Sequence, residues 1–161
     1  MNQIINEKVK SKINEDISPT RNLTGIHLKI VASIAIIWSL FQLWYASPFP
    51  FMFNIGMFKG LPARAIHLGF ALTLAFLIYP ISKKKKISTF DVLISFVGAF
   101  SCLYIYFFYD QLVDRGGMLL SIGIGDELNL PVELIIGSCG ILILLEATRR
   151  VIGLPLVIIA I

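Results

Sequence analysis

The ionisable residues worth weighing for chemistry are few, and most lie at the edges of apolar runs. Glu146 stands three and four residues before Arg149 and Arg150. That spacing allows pairing within one helix, and arginines in a last turn are favoured by the helix dipole. Read as an exposed pair, the group would add only about 0.2–0.5 kcal/mol. Arg64 and His67 are three apart and share a helical face. They read either as an interfacial arginine beside a histidine that hydrogen-bonds a neighbouring helix, or as a docking contact for a partner. Asp91 and Glu133 fall near the ends of apolar runs, close enough to the boundary to stay hydrated.

Other chemistries find little to use. His27 and His67 are the only histidines, and the segment pattern puts them about a bilayer thickness apart, which disfavours haem ligation. The ligands are too sparse for a metal site. Cys102 and Cys139 lie inside apolar runs without a C-x-x-C pattern and read as small hydrophobes. There is no Ser-His-Asp pattern, no Gly-rich phosphate loop and no broken polar helix suited to holding an ion. The expectation is a chain that is not an enzyme, with no catalytic residue, no metal site and no cofactor of its own. Nothing in it points to nucleic acid.

The elements that carry these residues are membrane segments. Of 161 residues, 57% are hydrophobic and 15% charged, whereas soluble domains carry roughly a quarter charged residues. Four runs approach the ~20 apolar residues needed to cross a bilayer, at about 28–46, 63–81, 89–109 and 131–147. Pro131 suits a helix's first turn. The expected fold is an all-α integral membrane protein, a four-transmembrane-helix bundle at 28–150. It follows a polar leader at 1–27, in which "SPTRN" reads as a flexible entry. The leader is too long and too polar for a standard signal peptide, and the stretch after the first apolar run, from Trp44 to Pro50, lacks an A-x-A cleavage site. Eleven of the 14 Lys and Arg fall on one side: five through Lys29, four at Lys83–Lys86, then Arg149 and Arg150. Lys59, Arg64 and Arg115 fall on the other. That imbalance predicts both termini in the cytoplasm. The connections at 47–62, rich in Phe, Pro and Gly, and at 118–131, with a short apolar patch before an acidic pair, read as segments that lie in the outer interface or against a partner.

"RAIHLGFALTLAFLIYP", then Asp91 opening the third span, Arg115-Gly116, and "LLEATRRVIGLPLVIIAI" resemble a known pattern. It is that of the N-terminal part of fused TRAP (tripartite ATP-independent periplasmic) transporter permeases of the TAXI-served type. The resemblance covers about 62–161, with a 117–130 loop longer than is usual there. It implies that these helices are the small, Q-type membrane component joined to a large M-type component. It also implies a bacterial inner membrane and a TAXI-type extracytoplasmic solute-binding protein that delivers an organic anion. Sodium coupling would belong to the large component. Arg64, His67 and Glu133, the acidic residue opening the fourth helix, become candidates for partner docking. Asp91, Glu146, Arg149 and Arg150 become candidates for a structural junction. Residues 151–161 become the truncated start of the next helix, since eleven apolar residues make only about 16 Å of helix. The rival expectation is a free-standing four-helix membrane assembly factor or sensor.

Overall fold

A computed structural model describes residues 20, 21, 23–80, 87–116, 118, 121–124 and 128–161. The leader cations Lys8, Lys10 and Lys12, and the Lys83–Lys86 run, lie outside the described residues.

Four long helices carry the fold: α1 (Ile26–Ala46), α3 (Gly60–Ile78), α4 (Thr89–Asp114) and α5 (Val132–Val151). Two short helices accompany them, α2 (Phe49–Phe53) after α1 and α6 (Leu154–Ala160) after α5. Between α4 and α5, β1 (Ser121–Ile124) and β2 (Leu128–Pro131) form an antiparallel pair in which Ile122 faces Leu130 and Gly123 faces Asn129. The all-α expectation therefore holds for the long segments, while the apolar patch before α5 pairs as a hairpin. Strand pairing satisfies the backbone groups of those residues.

The helices start and stop slightly away from the hydropathy boundaries. Helix α1 begins at Ile26, inside the expected leader. Helix α3 opens at Gly60 and closes at Ile78, shifted by one turn from 63–81. Helix α4 runs five residues past Tyr109, since the aromatic tail remains helical until Gly116 turns the chain with φ 58°. Ser88 caps α4, its Oγ accepting from the Phe90 N–H. Helix α5 continues through Val151, beyond the expected limit of 147. Gly153, at φ 107°, breaks the helix, and Pro155 opens α6.

Helices α1, α3 and α4 are long and apolar enough to cross a membrane. Helix α5 is not among those spans: Glu133, Glu146, Arg149 and Arg150 leave only residues 134–145 uncharged between them. Helix α3 is central, packing most extensively on α4 and also touching α1 and α5, whereas α1 fully buries only Val31. Leu72, Phe76, Cys102 and Ala147 form one buried cluster between α3, α4 and α5. Val31, Leu74 and Leu77 form another between α1 and α3, with Leu23 from the leader packed on it. Cys102 takes the place of a small hydrophobe, while Cys139 is only half-buried on α5.

Small residues let the central helices approach. A Cβ on Gly69 would sit 3.4 Å from that of Cys102, and one on Gly140 would sit 3.5 Å from that of Ser101. Gly98 is tightest, since a Cβ there would lie 3.0 Å from Ile143 Cγ2 and 3.5 Å from Leu72 Cδ1. Lipid tails are as apolar as the helices, so close van der Waals packing rather than water exclusion holds such contacts. A Cβ on Gly137, by contrast, meets nothing within 4 Å. Gly98→Val is therefore expected to cost about 1–3 kcal/mol by overpacking, and Gly137→Val close to nothing. Thermal unfolding of both variants in detergent checks the contrast; equal melting temperatures would contradict the packing.

Candidate functional site

Three helix ends meet on one side of the bundle: the C-terminus of α3, the N-terminus of α4 and the C-terminus of α5. Helix ends carry unpaired carbonyls or N–H groups and partial charges of opposite sign. Asp91, in the first turn of α4, and Arg149 and Arg150, in the last turn of α5, complement those charges. The side chains of Asp91 and Arg150 converge rather than pointing into water.

Asp91 is the hub. Its Oδ1 accepts from Arg150 Nη1 at 2.7 Å and its Oδ2 from Arg21 Nη2 at 2.7 Å. The side chains of Asp91 and Arg21 are 1% exposed and that of Arg150 is 2% exposed. Arg150 also donates through Nε to Glu146 Oε1 at 2.8 Å and through Nη1 to the Tyr79 carbonyl at 3.3 Å. Its guanidinium lies 4.8 Å from the centroid of the buried Phe76 ring. Arg21 donates through Nη1 to the Leu77 carbonyl at 3.1 Å, and its backbone N–H bonds the Ile78 carbonyl at 2.9 Å. Carbonyls of the last turn of α3 thus find partners in guanidinium groups. Arg149 forks onto Glu146 at 2.7 and 2.8 Å from a more exposed position.

These distances correct two expectations. Glu146, Arg149 and Arg150 do pair, but Arg150 is buried in an interhelical network rather than held in an exposed pair. Asp91 is likewise withdrawn from water. The junction candidates Asp91, Glu146, Arg149 and Arg150 are brought together as one group. Arg21 completes the group, although its segment reads from sequence as a flexible entry. It lies 70 residues from Asp91, and the only available signal was an arginine just ahead of the first apolar run.

The other candidates part company. His67 faces α1, where its Nδ1 is 2.9 Å from Gln42 Nε2 and 3.4 Å from Trp38 Nε1. Indole N–H can only donate, so Nδ1 is the acceptor in the Trp38 contact. The Trp38 and His67 rings also meet edge to face at 5.0 Å. This is the helix-to-helix contact weighed from the sequence. Arg64 is exposed and has no hydrogen-bond or ion-pair partner among the described residues. Glu133 sits elsewhere, at the start of α5, where it accepts from Arg115 Nη2 and from the Tyr104 hydroxyl at 3.2 Å. The three docking candidates therefore do not form one cluster. Tyr104, read from sequence only as part of an aromatic belt, is the unforeseen member at Glu133. Nearby, Lys59 bonds Asp110 and lies 5.6 Å from the Tyr109 ring. That hydrogen bond holds the Lys59 ammonium above its ordinary range.

The polar groups thus lie in two zones, about 20 Å apart along α4 from Asp91 to Tyr104 at 1.5 Å per residue. Between them the helices meet through apolar and small residues. An apolar recess of about 260 Å³ between α3, α4 and α5 is lined by residues such as Leu72, Ile136, Gly137 and Leu144, with Glu133 at one end. Among the described residues, no group of three or more His, Cys, Asp or Glu could hold a metal ion. What the arrangement does chemically is lock helix ends with neutralised charge.

Fold and site together define a helical membrane protein with a buried ionic junction. Comparisons with protein-family models, curated proteins and solved structures found no match.

The hub ranks the substitutions. Asp91→Ala strands two buried guanidinium groups and is expected to cost about 3–5 kcal/mol. Arg21→Met leaves the Asp91–Arg150 pair in place and should cost less. Arg149→Ala, at an exposed fork, should cost no more than about 1 kcal/mol. Melting temperatures in one detergent give the order, and an Asp91→Ala effect no larger than that of Arg149→Ala would contradict the hub.

Proposed function

We propose that this chain acts as the scaffold, the small membrane component, of a secondary transporter of the TRAP type. In this reading it braces a large transport component that takes up organic anions delivered by an extracytoplasmic binding protein. Substrate and sodium would be handled by the large component. The observation that carries the bracing role is the buried network around Asp91, which ties the leader and α3, α4 and α5 at one level. Such a network resists relative movement of the helices, because shifting any one strands a buried charge. The polar groups here are engaged with one another, as suits a brace more than a substrate path. The transporter class itself rests on the resemblance of 62–161, with its Glu146, Arg149 and Arg150 knot.

The proposed topology has four crossings with both termini in the cytoplasm of a bacterial inner membrane. Helix α5 would cross as the fourth span, with its charged ends at the two surfaces. The Lys and Arg imbalance supports this orientation, as does the meeting of Arg21, Arg149 and Arg150 at one end of the bundle. Arg64, exposed at the other end, remains the docking candidate for the binding protein. His67 would contribute by holding α1 against α3 rather than by touching the partner.

The intact mass of the native membrane polypeptide that carries this sequence tests the reading. A mass several times 18.0 kDa, or tight co-purification with a large membrane subunit, is the expected outcome. A lone 18.0 kDa species without such a partner would replace it with the free-standing assembly factor or sensor. In the complete protein, Arg64→Ala is expected to weaken binding-protein-dependent uptake while leaving membrane insertion unchanged. Normal uptake by that variant would remove the docking role.

A further inference from the structure

The connection between α1 and α3 is an apolar exposed surface that the bracing role leaves unused. Residues 47–58, "SPFPFMFNIGMF", contain no charged side chain. Phe51 is 77% exposed, Met52 71%, Ile55 66% and Phe53 60%, and Phe49 and Met57 are also exposed.

This display is held in place rather than collapsed. Pro48 and Pro50 start α2, and Asn54 ends it in the left-handed conformation at φ 52°. The Ser47 hydroxyl donates to the Trp44 carbonyl at 2.8 Å. Gly56, at φ 64°, passes so close to Trp44 that a Cβ would lie 3.1 Å from its indole nitrogen. Aromatic contacts tie both sides of the segment down: Trp44 to Phe49 at 6.4 Å, and Phe41 to Phe58 at 5.5 Å. With the inner rings occupied in this way, the tips of Phe51, Met52, Phe53 and Ile55 remain outward.

We propose that residues 47–58 form a membrane-interface anchor, with α2 lying on the bilayer surface and these side chains immersed among lipid headgroups and upper acyl chains. Two observations select lipid as the occupant. First, the spans on either side also expose apolar residues, Leu40 and Leu43 of α1 and Leu61 of α3. Second, charge returns at the very next residue, in the exposed Lys59–Asp110 pair, as expected where a lipid-facing segment gives way to water. An uncharged segment with aromatic flanks on the apolar side of such a boundary suits the interfacial zone. The anchor rests on α1 and α3 spanning the bilayer and is independent of the transport reading.

The test uses the full chain in phosphatidylcholine–phosphatidylglycerol vesicles. Nitroxide labels are placed at Phe51→Cys or Ile55→Cys in a Cys102→Ala, Cys139→Ala background, with Leu40→Cys as the reference within α1. Collision rates with oxygen and with a water-soluble nickel complex give depth. Labels at 51 and 55 are expected to favour oxygen, at a depth of about 5–10 Å. Strong nickel collision at both positions, with Leu40 still lipid-like, would overturn the anchor alone by placing the segment in water. Protection from both reagents would overturn it in favour of a second copy or a protein partner covering the patch. A Leu40 label open to nickel would overturn the membrane-spanning reading of α1, and the anchor with it. Should the cysteine-free background fail to fold, Phe51→Trp in the otherwise native chain provides a second readout. Its added fluorescence should be quenched by lipids brominated near the headgroup. No quenching would overturn the proposal.

Discussion

One carboxylate, Asp91, holds the bundle's polar end together. It is buried, it opens a helix, and each of its oxygens accepts a guanidinium from a different part of the chain. Burying such a charge without partners would be prohibitive. Two arginines for one aspartate would in turn leave excess positive charge, which Glu146 and the carbonyls of Leu77 and Tyr79 offset. The geometry of the α3, α4 and α5 ends follows from that requirement. Each must bring its terminus to the same level for the charges to be satisfied.

The rest of the bundle depends on that alignment and reinforces it. With the ends registered, Gly98 faces Ile143 and Leu72, and Gly140 faces Ser101. Phe76 is completely buried, with the Arg150 guanidinium stacked near its ring. A second polar contact, Glu133 with Arg115 and Tyr104, fixes α4 to α5 near their opposite ends. Helices α4 and α5, tied at both ends, have little freedom to slide past each other. Helix α1 stands apart: it touches α3 through Val31, Trp38 and Gln42, and most of its surface is left for lipid or a partner.

Legibility from sequence differed by the kind of interaction. Apolar run length located α1, α3 and α4 because the bilayer's thickness sets the scale directly. It missed the last turn of α4, which continues until Gly116 turns the chain, and the bounds of α3 by about a turn, since such ends are decided locally. The Glu146, Arg149 and Arg150 knot was visible because helical spacing is a local property. The contacts of Asp91 were not, because they join residues 59 and 70 positions away. His67 and Arg64 shared a face as their spacing required, yet only the packing of α1 determined that His67 meets Trp38 and Gln42.

The residue order alone determined what must be paid for in lipid: long apolar helices, charges restricted to their ends, and a lopsided distribution of Lys and Arg. These follow from solvation, which acts on each residue where it stands. Tertiary structure decided which charged ends meet. Arg21 passed from a supposed flexible entry to a ligand of Asp91, and Arg150 from a surface charge to a buried one. A hairpin formed where only an apolar patch had been evident. These outcomes depend on how helix termini align in space, and interaction energies that couple distant residues leave no periodic trace along the chain.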